Sequence, residues 1–201
     1  MELMSKALVV EAGGRMCKPR QMKSENKRQF WTEWARFYAG LWPAGWMLRT
    51  SGQLPWTRFH ALPESKRYAD TPDEYQIVLE RAYELADQVL QEGAPCWLVT
   101  ATYEDGEIGA LDSDSFFADE DGDEGWLFSA TEVTWERGSV DAILAEIAQD
   151  RAGPTLWFSR ETGKIFAPYD GGFDIFLRSP EEVEEMKTKY GEWRSSHPEG
   201  L

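Results

Sequence analysis

The chain has 201 residues, with 36 Asp or Glu against 21 Lys or Arg and a formal net charge of −15. Hydrophobic residues make up 42% and aromatic residues 13%, enough for a packed core, which excludes global disorder. Excess negative charge argues against nucleic acid as a direct ligand, because phosphate contacts need Lys and Arg.

Residues 1–22 lack hydrophobic periodicity and read as a flexible leader, with Met22 as an alternative start. Nothing in them has the form of a signal peptide, and no apolar run reaches the length of a membrane span. The expected location is the cytoplasm. The two cysteines, Cys17 and Cys96, have no metal spacing and read as free thiols.

Ser24 to Leu41 reads as a helix. Phe30, Trp34, Phe37, Tyr38 and Leu41 share its inner face, and Lys27, Arg28, Glu33 and Arg36 its outer one. Pro43 and Gly45 end it. Trp46–Arg49 and Trp56–Ala61 read as a strand pair, with Ser51-Gly52-Gln53 as the turn. Thr71-Pro72-Asp73-Glu74 is a strong helix start: a Thr cap, Pro at the first position and Glu closing a capping box. That helix runs to about Glu92, where Gly93 and Pro95 stop it.

Cys96–Tyr103 reads as a strand, with short strands expected around Ile108–Leu111 and Trp126–Thr134. Ser139 is expected to open a short helix. Thr155–Arg160 and Lys164–Ala167 form a hairpin about Glu161-Thr162-Gly163, and Phe173–Leu177 is a further strand. Ser179-Pro180-Glu181-Glu182 starts a last helix that buries Val183, Met186, Tyr190 and Trp193. The order of elements predicts a single α+β domain over residues 23–195, with a short tail at 196–201. It consists of a mainly antiparallel sheet with three to four helices packed on it.

Charge is unevenly placed. Ala82 to Glu136 holds fifteen carboxylates and no Lys or Arg, which leaves 21 acids and 21 bases in the rest of the chain. The densest part is Asp112 to Glu124. Such a run is most simply a solvated loop; its sharper reading is a docking surface for a basic partner. Asp112, Asp114, Asp119, Glu120, Asp121, Asp123 and Glu124 would supply the charge. Phe116, Phe117 and Trp126 would supply apolar anchors. Asp119 to Gly125 is not an EF-hand, because Glu124 stands where the loop needs Gly and Ala130 where it needs Glu. No metal or cofactor is expected.

Two loops carry the remaining chemistry. Arg58 to Ala69 groups Arg58, His60, Glu64, Ser65, Lys66, Arg67 and Tyr68 between a strand and a capped helix. His60 is a candidate base with Glu64 or Ser65 nearby, against the plainer reading of a corner braced by a Glu64–Arg67 pair. Ala167 to Asp174 reads as a turn whose Gly171 and Gly172 permit positive φ, with Tyr169, Asp170 and Asp174 as candidate ligand groups. The sequence F-H-x-L-P-E-S-K-R-Y-A before a capped helix, with P-Y-D-G-G-x-D-I later, resembles an uncharacterised bacterial family known only as a domain of unknown function. The resemblance spans roughly Trp46 to Trp193 and implies no activity.

Two functional expectations remain. The first is a non-enzymatic protein, monomeric or weakly dimeric, of the immunity type. It would neutralise a basic toxin, such as a nuclease, with carboxylates standing in for phosphates. The second is an enzyme or small-molecule binder using Arg58, His60, Glu64, Lys66, Arg67, Tyr169, Asp170 and Asp174. Catalytic density favours the first: outside the tail there is one His and no metal cluster, nucleophile elbow or phosphate loop.

Overall fold

Strand Thr155–Ser159 is buried at all five positions, so both faces of the sheet around it must be covered. The computed structural model describes residues 25–52, 54–105, 115–118 and 124–194 and shows how. Among the described residues there are five α-helices: α1 (Glu25–Tyr38), α2 (Gly45–Thr50), α3 (Pro72–Leu90), α4 (Asp141–Ala148) and α5 (Pro180–Lys189). Seven strands of these residues form one sheet: β1 (Trp56–His60), β2 (Pro95–Asp105), β3 (Ser115–Ala118), β4 (Glu124–Thr134), β5 (Thr155–Ser159), β6 (Ile165–Tyr169) and β7 (Gly172–Phe176). Their order is β1-β7-β6-β5-β2-β4-β3, and every pairing is antiparallel. The predicted α+β architecture is therefore present, with one helix more than expected.

Strand alternation sorts the core into two layers. Phe59, Cys96, Trp157, Phe166, Phe173 and Ile175 face one way and pack with residues of α3, α4 and α5. Trp97, Val99, Leu156, Phe158, Ile165 and Phe176 face the other way and pack with α1 and α2. Each strand of the sheet's centre is thus apolar on both sides, which explains its uninterrupted hydrophobic runs. Burial pushes the Cys96 thiol up to about 12, so it packs as an unreactive apolar group.

Two helix starts are built as the sequence dictates. Thr71 accepts the Glu74 N–H while the Glu74 carboxylate accepts from the Thr71 N–H, a complete capping box. Ser179 accepts the Glu182 N–H at the start of α5. The helix after Ser139 begins later: Val140 takes the cap position without a side-chain bond, and the Ser139 hydroxyl donates to the Glu136 carbonyl instead. Tyr190 and Trp193 follow α5 in a 3-10 turn and stack at 4.8 Å.

The largest correction concerns residues 46–49, which form α2 rather than a strand. Six residues are too few for periodicity to distinguish helix from strand, and Trp46 and Leu48 satisfy an alternating pattern equally well. Only Leu48 of this helix is buried. A Cβ at Gly45 would lie 3.1 Å from that of Ala167, so glycine lets α2 sit close on β6.

Glu33 also departs from its assigned solvent face. Its carboxylate receives two N–H groups of Arg160 at 2.7 and 2.8 Å, the Trp97 indole at 2.7 Å and the Gln29 amide at 3.0 Å. This cluster fastens α1 to the sheet. Burial opposes ionisation of Glu33, but these donors outweigh it and hold its carboxyl down at about 2.

The leader, the Ser24 cap, the Ile108–Leu111 strand, the 119–125 segment short of Glu124, and residues 195–201 lie outside the described residues. Among the described residues, no helix is long and apolar enough to cross a membrane.

Candidate functional site

The two motif loops, about 100 residues apart in sequence, meet at one end of the sheet. Edge strand β1 pairs with β7 so that Arg58 lies opposite Asp174 and His60 opposite Gly172. Cross-strand neighbours share a face, which brings the Arg58 and Asp174 side chains together on the α2 side. Arg58 Nε donates to Asp174 Oδ1 at 2.7 Å and Arg58 Nη2 to Oδ2 at 2.9 Å. Arg49 from α2 adds a longer contact to Oδ2 at 3.4 Å. Burial raises the Asp174 carboxyl above its ordinary value, and the Arg58 guanidinium offsets only part of that rise. Two donors aligned on two oxygens is the fork geometry of an ionised pair.

Beside this pair the second motif closes on the first. Arg67 Nε donates to Asp170 Oδ2 at 2.5 Å and the Tyr68 hydroxyl to the same oxygen at 2.9 Å. Burial works against ionisation of Asp170, but the Arg67 and Tyr68 bonds hold its carboxyl below the ordinary range. Tyr169 lies beneath Arg58, whose guanidinium carbon is 4.4 Å from the ring centroid. Burial raises the Tyr169 hydroxyl to about 12, so it is neutral and a donor near pH 7.

The glycines of this turn serve close approach rather than positive φ, which neither adopts. A Cβ at Gly172 would lie 2.2 Å from the Phe59 carbonyl oxygen and 2.9 Å from the Tyr169 hydroxyl. Only glycine lets β7 run that near β1. The positive φ values fall instead on Glu64 (55°) and Ser65 (58°), in the turn after β1.

These elements enclose a cleft of about 450 Å³. Its cations are Arg49, Arg58 and Arg67; Trp46, His60, Ser65, Tyr169 and Asp174 also line it. Counting the paired acids Asp174 and Asp170, three guanidinium groups face two carboxylates, a local excess of one positive charge on a chain of −15. Arg49 uses one N–H group, at 3.4 Å, and Arg67 remains 64% exposed. Both keep donors for an incoming anion.

Five of the eight sequence candidates therefore line the cleft: Arg58, His60, Arg67, Tyr169 and Asp174. Asp170 stands behind Arg67. Lys66 turns away to Asp70 and Glu74 at 2.9 and 2.6 Å, where it ties the loop to α3. Glu64 is exposed and does not line the cleft, and Arg67 bonds Asp170 rather than Glu64. His60 is not built as a base with Glu64 or Ser65. Its Nε2 is closed to solvent and has no hydrogen-bond partner. Burial and the charges of Arg58 and Arg81 press its pKa down, so the ring is neutral. Sequence reasoning missed Trp46 and Arg49. Their spacing of three places both on one face of α2, a signal hidden by the strand assignment.

Of the acidic candidates, Asp112, Asp114, Asp119, Glu120, Asp121 and Asp123 lie outside the described residues. Phe116 and Phe117 belong to β3, the far edge strand, where they pair with Leu127 and Trp126. Glu124 is the first residue of β4. The Trp126 ring lies 5.2 Å from Tyr103 and 6.5 Å from Trp46.

No curated protein and no solved structure matches the chain. One family model does, across residues 44–198, which include both motif loops, α2 and every strand of the cleft. The chain belongs to the family described as domain of unknown function DUF3885.

Proposed function

We propose that this protein binds a small anionic ligand, a phosphate ester or a carboxylate, in the cleft between α2, β1 and the β6–β7 turn. One observation carries the reading: Arg49, Arg58 and Arg67 converge from a helix, a strand and a loop on a single cavity of an otherwise acidic chain. Guanidinium groups match phosphate and carboxylate oxygens two at a time. Arg58, locked on Asp174, sets the geometry, and Arg49 and Arg67 supply the open donors. Asp174 and Asp170 hold the guanidinium groups in place before the anion arrives, which lowers the cost of ordering them. The enclosed Nε2 of His60 is not offered to a ligand, so the arginines carry the binding.

Thermal denaturation with added probes tests this. Inorganic phosphate or citrate at low ionic strength should raise the melting temperature of the wild type, since a ligand of the native state stabilises it by mass action. Arg49→Ala/Arg67→Ala should remove that rise while leaving the unliganded fold intact, because both side chains are partly exposed. An equal rise in the double variant would place anion binding elsewhere.

A second reading, an immunity-type protein that docks a basic toxin on the acidic segment, draws support from a different observation. Tyr103 is 47% exposed and meets Trp126 edge-on, in the two strands that lead into and out of that segment. Aromatic anchors beside carboxylates suit a cationic partner. Asp119→Lys/Asp121→Lys/Asp123→Lys should then lose a basic protein that the wild type retains on purification at low salt. Retention of no such protein by the wild type removes this reading.

A further inference from the structure

We infer that the ligand of this cleft carries an aromatic ring as well as its anionic group, and that the ring lies on Trp46. This rests on the anion-binding reading and narrows its ligand class. Trp46 lines the cleft and is 40% exposed, one of three large apolar side chains left open on the described surface. An oxyanion alone gives no reason for an indole there. The exposed ring is held, not loose: it packs against Trp126 with centroids 6.5 Å apart and planes at 54°, and Trp126 is backed in turn by Tyr103. A braced indole that keeps an open area is a stacking platform.

The neighbouring rings do not compete for the role. Tyr169, the other large aromatic side chain lining the cleft, already carries the Arg58 guanidinium on its face. Trp46 and Arg49, three residues apart on α2, address the ligand from one helix face, the ring through its surface and the cation through its N–H groups. The cavity is also larger than an inorganic oxyanion needs and falls in the range of small-molecule sites. An aryl or nucleobase-bearing phosphate matches this arrangement of a ring site next to an anion site.

Phenyl phosphate and methyl phosphate, titrated calorimetrically into the full chain, separate ring from anion. The wild type should bind phenyl phosphate about tenfold more tightly than methyl phosphate, as expected for one stacked ring. Trp46→Ala should abolish that preference, and Trp46→Phe should keep most of it. The Phe variant, together with its denaturation midpoint, guards against a fold lost with the indole. Equal binding of the two probes by the wild type, or a preference that survives in Trp46→Ala, overturns the inference and leaves the anion site standing. Binding of neither probe overturns both.

Discussion

Replacing Asp174 by Ala should destabilise the protein by about 3–5 kcal/mol, the range for breaking a buried ion pair from one side. The side chains of Asp174 and Arg58 are 5% and 9% exposed. Without the carboxylate, Arg58 keeps its charge, because a guanidinium does not deprotonate in a protein, and it loses two hydrogen bonds in a site that water barely reaches. The penalty therefore comes mostly from the partner left behind. Arg58→Met/Asp174→Leu should recover most of the loss, since two apolar side chains leave no orphaned charge. Urea denaturation of the two single variants and the double variant measures this coupling directly. A loss below about 1 kcal/mol in Asp174→Ala would mean that the pair is solvated.

Glu33→Gln should cost about 2–3 kcal/mol at neutral pH, and the cost should fade in acid. Glu33 has an ordinary value of 4.5 and a folded value of about 2. Lowering it that far corresponds to about 3 kcal/mol of pairing with Arg160, Trp97 and Gln29. The folded value lies below the unfolded one, so the unfolded chain takes up the proton first as acid is added. The stabilisation is complete above pH 4.5 and is lost as pH falls from 4.5 toward 2. Glutamine keeps the Trp97 contact but loses the charge opposite Arg160. Wild type and Glu33→Gln should therefore converge in stability by about pH 2. A gap that stays constant between pH 7 and pH 2 would show that the Glu33 charge is not what holds α1 to the sheet.

The parts of the fold legible in the sequence are those with short-range causes. Thr71 and Glu74 lie within one turn of the bond they make, and Ser179 and Glu182 repeat the device. The hairpin from β5 to β6 is equally local. What was not legible depends on partners far along the chain. Arg67 and Asp170 are 103 residues apart, and Glu33 and Arg160 are 127 apart. Each reads alone as an ordinary surface charge, and only the closing of the sheet gives it a partner. The candidate site shows the same division. Its two loops stood out through their residue types, but nothing in either indicated that Arg67 of one would meet Asp170 of the other. The short helix α2 was the costliest loss, because it delivers both Trp46 and Arg49.

Electrostatic pattern divides in a related way. Fifteen carboxylates without a base form a contiguous run and attract notice. The cations of the cleft sit at positions 49, 58 and 67, in a stretch where 34–63 hold no Asp or Glu and 49–67 hold four bases against Glu64 alone, a weaker run that the acidic block overshadowed. What the tertiary structure adds is the convergence of these cations on one cavity. On the proposed reading, net charge alone gives the wrong sign for the ligand of this cleft.

Calorimetric titration of inorganic phosphate into the wild type at low ionic strength, beside Arg67→Ala and Arg151→Ala, tests the anion site most directly. Arg151 is a control: it pairs with Glu146 at 2.6 Å and does not line the cleft. The account predicts one saturable site per chain in the wild type and in Arg151→Ala, and at least tenfold weaker binding in Arg67→Ala. Equal weakening in both variants, or no saturable binding by the wild type, would contradict it.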